Sequence, residues 1–162
     1  MSTSREVRSL VPADVATAYA LLTGEAWVAL LAEHLRDGSR LVRRETPPGG
    51  GAVLEVSRQL PDGVPGFLER FLPADGRATQ VDTWEPDAGG VRRGTWQALI
   101  PGAPAKVGGG TRLEPAPGGC AWVVDVEVTV KVPVFGGRAE RFLADTVCAL
   151  VEKEAQVLAT GV

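Results

Sequence analysis

The chain has 162 residues, enough for one domain (1–162) whose hydrophobic core needs no metal or disulfide. Lys and Arg number 17 against 20 Asp and Glu; the net charge of -3 argues against nucleic acid as the main partner, because phosphate binding needs a basic face. No apolar run approaches the ~20 residues of a membrane-spanning helix, and the first ten residues lack the apolar core of a signal peptide, so the protein is expected in the cytoplasm.

Ser4 to Leu10 reads as a first strand. Val11-Pro12 then opens a helix, with proline placed where its missing N–H costs nothing. Val15, Ala18, Tyr19 and Leu22 carry its buried stripe and Gly24 ends it. Trp27, Leu30, Leu31 and Leu35 define a second short helix, stopped at Asp37-Gly38. From Arg40 the pattern changes to strands separated by turn signals. Arg40–Thr46 and Ala52–Leu60 flank a Pro/Gly loop, as do Ala78–Glu85 with Val91–Ile100 and Ala105–Glu114 with Cys120–Val132. Three hairpins plus the first strand give seven antiparallel strands. Between the first and second hairpins, Pro61–Gly76 carries Phe67, Leu68, Phe71 and Leu72 at helical spacing. It reads either as a surface helix tucked into the core or as a cover over a cavity mouth.

In the last hairpin Cys120, Trp122, Val124, Val126, Val128, Val130 and Val132 alternate with a mostly polar set, so one face is buried. After Gly136-Gly137 the period becomes helical. From Arg138 to about Thr160, Ala139, Leu143, Val147, Leu150, Val157 and Leu158 share one side of a helix roughly 35 Å long. The fold class is therefore α+β: a curved seven-stranded antiparallel sheet wrapped round a long C-terminal helix, with two short helices after the first strand. Val124, Val126, Val128, Leu143 and Leu150 are expected to be nearly inaccessible, and Leu150→Ala to cost about 2–5 kcal/mol.

The stretch Val130-Lys131-Val132-Pro133-Val134-Phe135-Gly136-Gly137-Arg138-Ala139-Glu140 resembles a passage of an uncharacterised, mainly actinobacterial family within the START-like superfamily (SRPBCC, Bet v 1-like). Asp82-Thr83-Trp84 and Gly102-Ala103-Pro104-Ala105, with Gly108 and Leu113, are similar to that family too. The order of elements looks like the superfamily's helix-grip fold. The resemblance implies a space between helix and sheet that often holds an apolar ligand. It brings no shared catalytic motif.

Catalytic signatures are absent from the sequence. His34 is the only histidine, no G-x-S-x-G elbow exists, and Cys120 and Cys148 match no zinc spacing, so neither cofactor nor metal is expected. In a reducing compartment the two cysteines are expected as free thiols. Arg58 shares parity with Leu54, Val56 and Leu60, and Glu154 lies in the apolar stripe of the last helix. Either both reach solvent at a rim, or one of them orients the polar group of a greasy ligand. The expected ligand-binding set is Arg58, Trp96, Trp122, Leu143, Val147 and Glu154. Small inward residues (Gly94, Ala98, Ala139) should leave room for a cavity of about 300 Å³ or more, with Pro61–Gly76 near its mouth. The expected partner is a small hydrophobic molecule, lipid or polyketide-like, held by a non-catalytic carrier or sensor. The alternatives are a cyclase or dehydratase using Arg58, Glu154, Tyr19 or His34 with water, and a structural protein whose tryptophans fill the space.

Overall fold

A computed structural model describes residues 2–162. Its strands are β1 (Thr3–Val11), β2 (Arg40–Glu45), β3 (Ala52–Gln59), β4 (Arg77–Trp84), β5 (Arg92–Leu99), β6 (Ala105–Ala116) and β7 (Gly119–Val130). They form one antiparallel sheet in the order β1-β7-β6-β5-β4-β3-β2. The three hairpins read from the sequence are the pairs β2/β3, β4/β5 and β6/β7. β1 closes the sheet against β7, which places the first and last strands side by side.

Helices α1 (Val15–Leu22) and α2 (Glu25–Leu35) follow β1, and the short α3 (Gly66–Glu69) lies between β3 and β4. The start of α1 differs from the sequence expectation. Val11 still belongs to β1, and the cap is Asp14, whose carboxylate accepts from the Thr17 N–H at 2.8 Å. A capping carboxylate satisfies two needs at once, an orphan N–H and the positive end of the helix, so it outweighs proline as a start signal. Helix α2 ends at Arg36, whose φ of 51° turns the chain towards Asp37.

The long helix α4 (Gly136–Gly161) begins two residues before the expected Arg138 and is about 39 Å long. β7 stops at Val130 rather than Val132. The intervening residues turn, with the Phe135 N–H bonded to the Pro133 carbonyl at 2.8 Å. No side chain caps α4 in the usual way. Instead Glu140, buried just past its first turn, accepts from the Val130 N–H at 3.0 Å and the Thr3 hydroxyl at 3.2 Å. This one carboxylate ties the helix start to both β7 and β1. Gly136 permits the close approach, since a Cβ there would stand 2.8 Å from the Val130 carbonyl.

Helix α4 packs on β1 and β7, with α1 and α2 also against it. The other half of the sheet curls away from that contact. Val124, Val126 and Val128 are at most 4% exposed, as strand parity predicts. Leu143 and Leu150 are only half-buried, which corrects the expectation for them: they face an internal space rather than packed side chains. The second face of β7 also departs from its polar pattern, because Ala121 and Val123 are fully buried. Arg8 and Arg112 flank Val123 across the ladder, and both bond Glu114, so their aliphatic stems lie over that face.

Candidate functional site

Between α4 and the inner face of β3–β7 lies a cavity of about 140 Å³. That is about half of the expected minimum, and the physical reason is aromatic bulk. All four tryptophans of the chain, Trp27, Trp84, Trp96 and Trp122, contribute to its wall. Of the small residues expected to make room, Ala98 lines the cavity, whereas Gly94 and Ala139 do not. The opposite wall is formed by Leu143, Val147 and Leu150 of α4. Leu60 and Pro61 also line it, so the 61–76 segment starts at the cavity edge. Within that segment Leu68 is buried and Phe67 stacks on Phe135 just ahead of α4, with ring centroids 5.2 Å apart.

The tryptophans are held by the wall itself. Trp122 Nε1 donates to Thr111 Oγ1 at 3.0 Å, and its ring meets Trp27 edge-on. Trp96 Nε1 donates to the Asp125 carbonyl of β7 at 2.9 Å, although β6 lies between the two strands. The glycines of β6 make this reach possible. Gly109 is the cross-strand partner of Trp96, and a Cβ there would sit 2.1 Å from the same Asp125 carbonyl. With both N–H groups satisfied in the wall, the indole faces are left as apolar surface.

One end of the cavity is polar. Arg58 on β3, 7% exposed, bonds Glu154 of α4 at 2.6 Å, Gln80 at 2.9 Å, and Asp37 through Nη2 at 2.8 Å and Nε at 3.3 Å. Gln80 in turn donates to Asp82 Oδ1 at 3.0 Å. Asp37 is fixed by the turn after α2, where the Ser39 N–H and hydroxyl both bond its other oxygen at 2.9 and 2.6 Å. Neither Arg58 nor Glu154 reaches out of a rim; they neutralise each other inside. Burial pulls the Arg58 pKa down, but Glu154 and Asp37 outweigh it and raise the value overall. Burial pushes Asp37 up, yet bonds from Ser39 and Arg58 leave its carboxyl below the ordinary range.

Asp82 behaves differently. Burial, helped by the nearby charge of Glu154, pushes its pKa up to about 6 against the opposing effects of Gln80 and Arg58. Its residual accessible surface is cavity wall. Because the folded value lies above the ordinary 3.8, folding disfavours the ionised form. The penalty is absent below pH 3.8, grows with rising pH and is complete above about 6. Asp82→Asn is therefore expected to raise the denaturant midpoint at pH 7.5 by as much as about 3 kcal/mol in stability, and to change little at pH 4. Paired urea titrations at the two pH values check this; equal shifts at both would contradict it.

Sequence reasoning missed Asp37, Gln80 and Asp82. The last two were legible, since Ala78, Gln80, Asp82 and Trp84 alternate along β4 and share the inward parity of Leu54, Val56 and Arg58 across the ladder. Asp37 lies in a turn and has no period to betray it. Tyr19 and His34 stand apart from the cavity. Tyr19 meets Trp84 edge-on with Arg92 over its ring, and His34 is exposed, its Nδ1 3.1 Å from the Leu30 carbonyl. Cys120 and Cys148 are free, and no cluster of metal-ligating side chains occurs among the described residues. No single helix among them is long and apolar enough to cross a membrane.

The model of the family described as "Protein of unknown function (DUF2505)" matches residues 6–160. The chain belongs to this family. Relatives of this chain include the uncharacterised protein Rv0481c of Mycobacterium tuberculosis, 28% identical over 142 residues, which span 83% of this chain and 82% of the relative. Among solved structures, a START superfamily protein from Mycobacterium smegmatis matches 99% of this chain and 96% of its own at 16% identity and a TM-score of 0.55. The di-domain ARO/CYC StfQ from the steffimycin biosynthetic pathway is 18% identical with a TM-score of 0.67, over 99% of this chain and 50% of StfQ. These likenesses show the helix-grip fold of the START-like superfamily, with this DUF2505 chain as a member of that fold.

Proposed function

We propose that the protein is a non-catalytic carrier or sensor that binds a small hydrophobic molecule in the cavity between α4 and the sheet. One observation carries this reading: four tryptophans converge on an interior space that they do not fill. An apolar void of about 150 Å³ is large enough to take up benzene, so the space matches a single-ring molecule as it stands. A lipid tail or a multi-ring polyketide needs the wall to open, and the 61–76 segment at its edge is the part best placed to move. Arg58, Trp96, Trp122, Leu143, Val147 and Glu154 all line this cavity and form the binding set of the proposal. The span 1–162 acts as one domain in this reading, supported by a core cluster that draws on β1, β7 and α4 together. The free thiols fit a cytoplasmic setting.

Every tryptophan lines the cavity, so intrinsic fluorescence reports on it directly. Titration with small aromatic compounds is expected to give a saturable change that Trp122→Phe or Leu143→Trp weakens. No response to any apolar probe would leave a structural role in its place. A second reading, a cyclase or dehydratase, is favoured by one feature, the raised pKa of Asp82 beside an apolar cavity. There Asp82 would move the proton, and Arg58 with Glu154 would orient the substrate.

A further inference from the structure

The polar end of the cavity has a sign. Among the described residues Arg58 is its sole cation, and four of its five N–H groups are already bonded within the protein, to Asp37, Gln80 or Glu154. Three carboxyl groups surround that one cation. Asp82 accepts from Gln80 through Oδ1 alone, and Glu154 from Arg58 through Oε1 alone, so Oδ2 of Asp82 and Oε2 of Glu154 have no donor among the described residues. Glu154 is 6% exposed, and both residues line the cavity. Both oxygens keep some accessible surface, since no fully buried side-chain nitrogen or oxygen among the described residues lacks a partner, and water or a ligand must satisfy them. Asp82, Glu154 and Arg58 are the only titratable groups of the lining among the described residues, and Asp37 stands behind Arg58.

We propose that the cavity selects molecules whose polar end donates hydrogen bonds, above all the ammonium of a small arylalkyl amine, and disfavours carboxylates. The proposal rests on the reading of the cavity as a ligand site and assigns its ligand class. An ammonium offers three donors and one positive charge. It would bond the free oxygens of Asp82 and Glu154 while its ring occupies the tryptophan wall, and both charges remain paired on leaving water. A carboxylate meets the opposite situation: a single Nη2 N–H of Arg58 left over from its four bonds, and two acceptors of its own sign. Free fatty acids therefore fall outside the ligand class.

The test uses four probes of nearly equal size, namely ethylbenzene, benzyl alcohol, benzylamine and benzoate, titrated into the full chain by isothermal calorimetry at pH 7.5. Benzylamine is expected to bind at least tenfold more tightly than ethylbenzene, benzyl alcohol to fall between them, and benzoate to bind most weakly. Asp82→Asn should remove most of the amine preference, with circular dichroism and a cooperative urea transition showing that the variant is folded. Lowering the pH to 5 should weaken benzylamine in the natural protein and not in Asp82→Asn. Equal affinity for ethylbenzene and benzylamine, or tightest binding of benzoate, would overturn the donor preference while the cavity remains a ligand site. Binding of none of the four would overturn both.

Discussion

Replacing Arg58 by alanine is expected to destabilise the fold by about 3–5 kcal/mol at pH 7, the largest single effect of any polar substitution in the chain. The guanidinium is 7% exposed and joins three separate parts of the structure: the turn after α2 through Asp37, β4 through Gln80, and α4 through Glu154. Removing it leaves two carboxylates without their cation in a region shielded from water. The desolvation penalty of each is then uncompensated, and this penalty, rather than the lost attraction, dominates the cost. The deficit should shrink as the pH falls, because the orphaned carboxyl groups take up protons and cease to be charged. Combining Arg58→Met with Glu154→Leu removes one charge of each sign, so the double variant should lose clearly less than the sum of the two single ones. Urea denaturation of the four proteins at pH 7 and pH 5 measures all of these terms. Additive losses would mean that the pair is not coupled as its 2.6 Å bond implies.

The second large effect lies in α4. Leu158 is fully buried in the main core, and Leu158→Ala should cost about 3–5 kcal/mol. Leu150 is on the same helix, but it faces the cavity and is half-buried. Leu150→Ala enlarges a space that already exists, and removes fewer packed neighbours. About half the cost of Leu158→Ala or less is expected, below the range that helical periodicity alone suggested. Thermal and urea midpoints of the two variants, compared side by side, decide the point. A Leu150→Ala loss equal to that of Leu158→Ala would mean that the helix face is packed where the structure shows it open.

The difference between these two leucines also shows what a sequence can and cannot reveal. Periodicity places Leu143, Val147, Leu150 and Leu158 on one side of a helix, and it does so correctly. Whether each then meets side chains or empty space depends on how far the sheet curls from α4, which no local pattern records. The alternation in β7 identified Val124, Val126 and Val128 as buried because the same period governs strand and core face. It failed at Ala121 and Val123, where long arginines from neighbouring strands cover the outer face. Strand parity turns Arg58 inward and helical spacing does the same for Glu154, but neither pattern decides between a solvent-reaching rim and the buried pair that forms the polar end of the cavity. Asp82 obeyed the same parity but was noticed only as part of a family-like tripeptide. Asp37 sits in a turn and Glu140 near the start of a helix, positions where charged residues usually face water. The cavity volume was least legible of all. It is set by the orientations of four tryptophans, two of them anchored by hydrogen bonds to Thr111 and the Asp125 carbonyl.

Ligand binding by this protein requires an accessible apolar cavity bounded by α4 and the tryptophan wall. A crystal structure determined from crystals equilibrated with ethylbenzene tests it most directly. The expected result is one ordered ring bounded by Trp96, Trp122, Leu143 and Val147, with Arg58, Asp82 and Glu154 unmoved beyond it. Side chains closed over that space, with no ethylbenzene in it at saturating concentration, would contradict the account.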